Sequence, residues 1–325
     1  MFLALSAIWG SSFLWIAIAL DEGVPPLTLV SLRTLFAGGL LALVLLARSG
    51  RLPLHWNLWK RLIVLGATNI VIPFALIAWG QQYIPTGMAS ILNAMVPLFT
   101  IVFATVALAD EHVTPAKLGG LGIGFVGVLV LAWPSVQAAS GNEDAALAVA
   151  GMLAVAGAAV FYGIASVYTR RRVSGMRIIE QPDGSLRAPL PVEISLGSTV
   201  TAFAMISLLA LVFERPSGGL LSLPQSALGW VGLVWLGALG TGVAYLLFFR
   251  LIERWGATRT TLVTYVIPLV AIALGFVVLG ERLRPQELMG AVLIIGGVVL
   301  VNASVGQRPL WRREPAAATV EVQPD

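Results

Sequence analysis

The chain has 325 residues, 58% hydrophobic and only 11% charged, with a mean hydropathy of +0.90. A soluble globular protein carries about 25% charged residues, and 20 basic plus 16 acidic side chains cannot coat a globule of this length. That excludes an ordinary soluble enzyme, a disordered chain and a nucleic-acid binder. The net charge of +4 therefore has to be explained by where the cations sit. With no cysteine, disulfides, thiolate catalysis and cysteine-held metals are excluded. The two histidines, His55 and His112, fall in polar junctions, so neither a metal nor another cofactor is expected.

A bilayer core about 30 Å thick takes roughly 20 apolar residues per helix. Ten stretches meet that length in chain order: 2–20, 26–47, 61–83, 87–108, 115–134, 147–169, 192–213, 227–250, 257–279 and 286–303. Barrel-type alternation is absent, so the expected fold is an all-α membrane protein with ten transmembrane helices. The first stretch lacks a basic flank and its apolar run is too long for a signal peptide, so it reads as a retained helix.

With the N-terminus in the cytoplasm, inside segments hold 16 of the basic residues: Arg48, Arg51, Lys60, Arg61, Lys117, Arg170, Arg171, Arg172, Arg177, Arg187, Arg250, Arg254, Arg259, Arg308, Arg312 and Arg313. Outside segments hold 3, Arg215, Arg282 and Arg284, while Arg33 lies within a helix. This asymmetry predicts a multi-pass protein of the cytoplasmic membrane with both termini cytoplasmic. The polar tail 304–325 reads as disordered.

The second half echoes the first. An offset of 171 carries Leu65-Gly66-Ala67 onto Leu236-Gly237-Ala238 and Pro97 onto Pro268. An offset of 170 pairs Glu111 with Glu281, Pro115 with Pro285, Leu118 with Leu288, Gly120 with Gly290, Gly127 with Gly297 and Val128 with Val298. Two five-helix units follow, 1–134 and 135–303, with a cytoplasmic connector at 170–190. Because five is odd, the second unit enters the membrane from the opposite side. Inverted repeats are the architecture by which one site faces either side in turn.

Trp9-Gly10-Ser11-Ser12-Phe13, Arg33 seven residues after Pro26, and the paired segments Pro97…Ala109-Asp110-Glu111-His112-Val113-Thr114-Pro115 and Pro268…Leu279-Gly280-Glu281-Arg282-Leu283-Arg284-Pro285 carry a resemblance. Over residues 1–303 the chain resembles the EamA-type drug/metabolite transporters. Ala109-Asp110 departs from the usual Leu-Gly, and the connector is longer than usual. The resemblance implies a ten-helix inverted-repeat carrier of small metabolites or drugs, often an exporter, with a cavity between its halves. It names no cargo, because family members carry amino acids, nucleotide-related compounds, sugars and toxic cations.

Pro73, Pro97 and Pro268 each lie four residues after a polar residue, Asn69, Asn93 and Thr264. A proline frees the carbonyl four residues back, and unpaired backbone at membrane depth must face protein or water. These positions either support their own kinks or line a cavity and act as hinges. Arg33 lies about 10 Å below the outer helix end at 1.5 Å per residue; it either captures an anionic group of the substrate or anchors the interior against carbonyls, Asp21 or Glu22. Trp9, Trp15, Trp79, Tyr162, Trp235, Tyr245 and Tyr265 lie deep enough for stacking or cation–π contacts with cargo. The substrate-cavity candidates are thus Trp9, Ser11, Arg33, Asn69, Trp79, Asn93, Tyr162, Tyr245, Thr264 and Tyr265. Glu111 and Glu281 read as helix-end caps or ion pairs rather than a proton relay. Gly119, Gly120, Gly122, Gly124, Gly127, Gly290, Gly296 and Gly297 predict close packing within each repeat, a homodimer contact being the other use such residues allow.

The expected function is therefore a secondary transporter, with a small-molecule substrate and the lipid bilayer as partners. A non-transporting scaffold or receptor-like subunit needs no kinked inverted halves. An intramembrane enzyme needs clustered acid/base or metal-binding residues, and no Walker sequence links the chain to ATP.

Overall fold

The computed structural model describes residues 1–48, 50, 52–108, 114–139, 142–174, 176–180, 185–214, 222–255 and 263–303. Eight helices are long and apolar enough to cross a membrane: α1 Phe2–Asp21, α2 Pro26–Ala47, α3 Trp56–Gly80, α4 Thr86–Ala107, α5 Pro115–Ala138, α6 Glu143–Val173, α7 Pro191–Phe213 and α8 Ala227–Phe248. Two shorter apolar helices follow, α9 Val263–Leu279 and α10 Pro285–Val301. A two-residue hairpin, Ile179–Glu180 with Leu186–Arg187, interrupts the segment between α6 and α7. Large apolar side chains point outward: Leu43, Val106, Leu129, Leu208, Val277 and Val292 are 63–76% exposed. A surface this apolar is suited to lipid rather than water.

Helix ends differ from expectation where the chain is amphipathic. The third helix begins at Trp56 rather than 61 and stops at Gly80 rather than 83, because 56–60 add a polar first turn that buries Leu58 beneath exposed Trp56. The sixth runs over 143–173 rather than 147–169. The Asn142 side chain accepts the Ala145 amide at 3.2 Å and extends its start, and a π turn carrying Arg170–Arg172 extends its end. Residues 257–262 of the ninth predicted stretch, Asp110, Glu111 and His112 of the first paired motif, and the tail 304–325 lie outside the described residues.

Contacts sort the helix ends into two faces. Arg254, on the helical continuation of α8 to Trp255, reaches the Met1 sulfur at 3.9 Å, and Arg61 donates to the Arg172 carbonyl, so the starts of α1 and α3 share a face with the end of α6 and that continuation. Glu22, Glu214 and the start of α2 meet at the other face. The first face carries Arg48, Lys60, Arg61, Arg170–Arg172, Arg187 and Arg254 and is called the basic face below.

The packing has a regular pattern. α2 lies on α7 and α5 on α10; α1 lies on α9 as α6 lies on α4; α2 lies on α8 as α7 lies on α3; and α3 lies on α6 as α8 lies on α1. Glycine makes two of these contacts possible at matched positions. A Cβ on Gly66 would sit 2.8 Å from the Ser198 carbonyl oxygen and 2.5 Å from Thr201 Oγ1 of α7. A Cβ on Gly237 would sit 2.6 Å from the Arg33 carbonyl oxygen and 2.5 Å from Phe36 Cβ of α2.

Gly124 presses on Leu98 of α4, as packing within the first unit predicts, but Gly120, Gly127, Gly290 and Gly297 pack α5 on α10, which corrects the sequence reading for those four. Gly120 abuts Gly297 backbone to backbone, and Gly127 abuts Gly290, each Cβ falling 2.8 Å from the other's carbonyl oxygen in the second pair. Small residues on both helices let two backbones touch. Spacing alone says that something comes close, not which helix it is.

Candidate functional site

The site is built where three helices lose regular geometry. In α3 the turn Ala67–Val71 is π-helical, with the Ile72 amide reaching back five residues to the Ala67 carbonyl. Pro73 explains it, because a proline cannot bond the Asn69 carbonyl and the ladder widens around the gap. In α8 the π-helical run Trp235–Val243 is longer. It contains no proline. Three glycines, Gly237, Gly240 and Gly242, bring it against α2, and Thr241 Oγ1 bonds the Leu236 carbonyl five residues back at 3.1 Å. In α4 the helix breaks at Ala94–Met95 and restarts at Val96, with Pro97 in the first turn of the second segment.

Arg33 of α2 projects into the space between these widened turns and is 6% exposed. Its Nε donates to Thr241 Oγ1 at 3.0 Å, and its guanidinium carbon stands 3.8 Å above the Phe74 ring. Nη2 passes beside Gly240, 3.9 Å from where a Cβ there would lie. Tyr162 of α6 and Tyr245 of α8 are close enough to act on it electrostatically. Tyr162 meets Phe74 edge-on with centroids 6.5 Å apart, and Asn69 Nδ2 donates to the Tyr245 hydroxyl at 3.0 Å. Among the described residues no carboxylate pairs with Arg33, and its two terminal nitrogens donate no hydrogen bond. Glu22, one of the anchors considered for it, is held at Ser226 instead. A buried cation is costly, and here it is compensated only by a hydroxyl, an aromatic face and two phenols.

The structure thus brings Arg33, Asn69, Tyr162 and Tyr245 together and adds Phe74 and Thr241. The other candidates lie elsewhere. Trp9 packs on Phe248 at 5.5 Å. Ser11 accepts from Trp235 Nε1 at 3.0 Å, and Trp235 stacks on Trp15 at 5.9 Å. Trp79 is 36% exposed beside Tyr83, and the Tyr265 hydroxyl donates to the Val298 carbonyl of α10 at 3.1 Å. Asn93 keeps a buried Oδ1 without a partner next to the α4 break. Thr264 and Pro268 lie near the described start of α9. Phe74 had one sequence signal, since the 171-residue offset carries it onto Tyr245; a lone threonine in an apolar helix gives none.

The face opposite the basic one is fastened by three carboxylates. Glu214 accepts the Leu27 and Thr28 amides at 2.8 and 2.7 Å and the Thr28 hydroxyl at 3.0 Å. Pro25 and Pro26 carry no amide hydrogen, so these are the first two donors of α2. Glu281 accepts the Thr86 and Gly87 amides at the start of α4, at 2.8 and 3.2 Å. Glu22 accepts the Ser226 amide at 3.3 Å and the Ser226 hydroxyl at the start of α8. That hydroxyl is foremost in holding the Glu22 carboxyl below the usual carboxylate range.

Comparison with known proteins gives a consistent result. A model of the EamA-like transporter family matches residues 1–133 and 149–303. The chain is 29% identical over 321 residues to the uncharacterized inner membrane transporter YedA of Escherichia coli K12, covering 98% of this chain and 93% of that one. It is 28% identical over 315 residues to a protein of Streptantibioticus cattleyicolor named "Probable terminal-alkyne amino-acid exporter", covering 95% and 93%. It is 28% identical over 283 residues to the uncharacterized transporter YvbV of Bacillus subtilis, covering 86% and 83%. A solved crystal structure aligns with TM-score 0.60 over 92% of this chain and 94% of that one, at 23% identity, and so shares the fold.

Proposed function

We propose, from the premise that this chain belongs to the EamA-like transporter family, that it is a secondary exporter working by alternating access. It is a membrane transporter for a small molecule; the finer reading concerns mechanism and cargo. The reading has ten spans in two inverted halves, 1–134 and 135–303, both termini in the cytoplasm, and a cargo site at Arg33. The helix packing supports the halves, because every contact described above recurs when each helix number is shifted by five. The matched approaches of Gly66 to α7 and Gly237 to α2 support them at residue level.

The single observation that carries the reading is Arg33, a buried cation without a carboxylate, surrounded by groups from both halves. Asn69 and Phe74 belong to the first half, and Tyr162, Thr241 and Tyr245 to the second. A cargo carboxylate would supply the missing counter-charge through the two free guanidinium nitrogens, in the bidentate geometry that arginine favours. Phe74, Tyr162 and Tyr245 would flank its apolar part. The amino-acid exporter among the relatives is consistent with such a cargo. A proposed scaffold role has no use for this cluster.

The test is flux in sealed proteoliposomes with labelled amino acids, other carboxylates, nucleosides, sugars and organic cations, with and without a pH gradient. Saturable flux of a carboxylate class, lost in Arg33→Ala, is the expected result. Flux of a neutral or cationic class that is indifferent to Arg33→Ala would overturn the assignment of Arg33. No flux of any class from folded protein would overturn the transporter reading.

A further inference from the structure

We infer that Glu22, Glu214 and Glu281 form the gate that closes the face opposite the basic one, each carboxylate clamping a helix start of the other half. Glu22 lies in the first half and holds α8 of the second. Glu214 and Glu281 lie in the second half and hold α2 and α4 of the first. The three ties share one face and one chemistry. A helix start exposes unpaired amides and the positive end of its dipole, so a carboxylate from outside the helix both satisfies donors and meets complementary charge.

Local sequence does not require these helices to be capped from so far away. Where a helix of this chain caps itself, it does so from three residues' distance. Glu287 accepts the Arg284 amide at 2.8 Å, Asn142 accepts the Ala145 amide, and Glu193 accepts the Leu190 amide at 2.7 Å. The starts of α2 and α4 instead follow Pro25 and Pro85, neither of which can cap with its side chain. Their donors are left for the partner half, 187 and 195 residues away in sequence. The fit is close: Gly229 and Gly275 are positions where a Cβ would collide with the Glu22 and Glu281 carboxylates.

The basic face is held differently. Among the described residues the polar contacts between halves there include the Met1 sulfur with Arg254 and Arg61 with the Arg172 carbonyl. Beside them Leu41 and Leu45 pack on Val192 and Leu196, and Leu58 and Leu62 on Met176; among the described residues no carboxylate there clamps a helix start of the other half. At that face Glu193 pairs with Arg187 at 2.7 Å, six residues away in its own half. Opening toward the basic face therefore leaves the three glutamate clamps intact, whereas opening the opposite face must break them all. The clamps set the balance between the two, because a contact present in one state and absent in the other biases the equilibrium toward the first.

The direction of rocking rests on the alternating-access reading; the clamps themselves do not. The chain has no cysteine, so Ser12→Cys provides a single reporter at the level of the Arg33 guanidinium, reached from that face only past the clamps. Ser12 is 6% exposed, and its hydroxyl lies 3.0 Å from where a Gly240 Cβ would be. The measurement is its labelling rate in oriented vesicles by a membrane-impermeant maleimide added at the face opposite the basic one. Adding Glu214→Ala and Glu281→Ala together should raise that rate at least tenfold. Glu287→Ala, which removes a charge from the same face but a cap within one half, should leave it unchanged. Single Glu214→Gln and Glu281→Gln variants, which keep side-chain volume, should give intermediate rises and serve if the double variant does not fold. Rates unchanged by every clamp variant, or raised equally by Glu287→Ala, would overturn the gate. If wild-type protein moves cargo while clamp variants leave labelling unchanged, the gate fails and the transporter reading stands. If clamp variants raise labelling while no cargo moves, the reverse holds.

Discussion

The two π-helical stretches, Ala67–Val71 in α3 and Trp235–Val243 in α8, lie at positions matched by the 171-residue offset and reach similar geometry by different chemistry. The first is forced by Pro73. The second is drawn out by three glycines and a threonine that bonds backward. Each follows or contains a glycine pressed on a helix of the opposite half, Gly66 on Ser198 and Thr201, Gly237 on Arg33 and Phe36. Only the second contact carries a charge. The comparison teaches that matched backbone can be kept while the side chains diverge into one polar cluster around a cation and one plain contact.

The comparison can be broken most severely at the two glycines. Gly237→Leu should destabilise the fold by about 3 kcal/mol, since its Cβ meets α2 backbone and leaves nothing flexible to yield. Gly66→Leu should cost somewhat less, because one neighbour is the Thr201 hydroxyl. Thermal unfolding in detergent, followed by loss of the monodisperse peak, reads both. The next largest effect separates Arg33 from its matched residue. Arg33→Ala should weaken carboxylate binding about tenfold to a hundredfold, the range for charged hydrogen bonds. Ser198→Ala should change it less than about twofold, because the Ser198 hydroxyl serves only its own helix, at 2.8 Å from the Ile194 carbonyl. Equal losses in the two variants would mean the site is not centred on Arg33.

Smaller still, Thr241→Val should reduce affinity about fivefold to tenfold by removing the acceptor of Arg33 Nε. Tyr245→Phe should stay near fivefold, because it removes the acceptor of the Asn69 amide while keeping the ring. Ligand-induced quenching of tryptophan fluorescence would rank them. The mildest effect is acidic. The folded Glu22 carboxyl is depressed by Ser226, so its contribution is complete above the unfolded value of about 4.3 and disappears as pH falls through the lower folded value. Glu22→Gln should flatten that low-pH limb of the melting curve by lowering stability at neutral pH while leaving the most acidic region unaltered.

Much of the fold was legible because membrane spans are written in composition, and the lone intramembrane arginine was conspicuous for the same reason. Helix ends were less legible. Residues 56–60 mix tryptophan, lysine and asparagine, and an interfacial turn of that kind registers as a loop by hydropathy. Phe74 and Thr241 escaped because one aromatic and one hydroxyl among many apolar residues have no periodic signature. The role of Glu214 was beyond local reading, since its donors are 187 residues distant. The glycines of α5 and α10 announced a close contact, but small size does not encode a partner.

That glycine seam has a thermodynamic consequence. Where Gly120 meets Gly297 and Gly127 meets Gly290, the touching groups are peptide backbone. Val301, Ile294 and Leu131 press on the same glycines, but the glycines themselves have no rotamers to freeze or release, which keeps the entropy cost of the joint small. In the alternating-access reading proposed above it would serve as an axle, and an axle stores little preference for either end of its swing. On that reading the free energy separating the states would reside largely off that axis, in the clamped helix starts at one end and in Arg33, which has no carboxylate partner among the described residues.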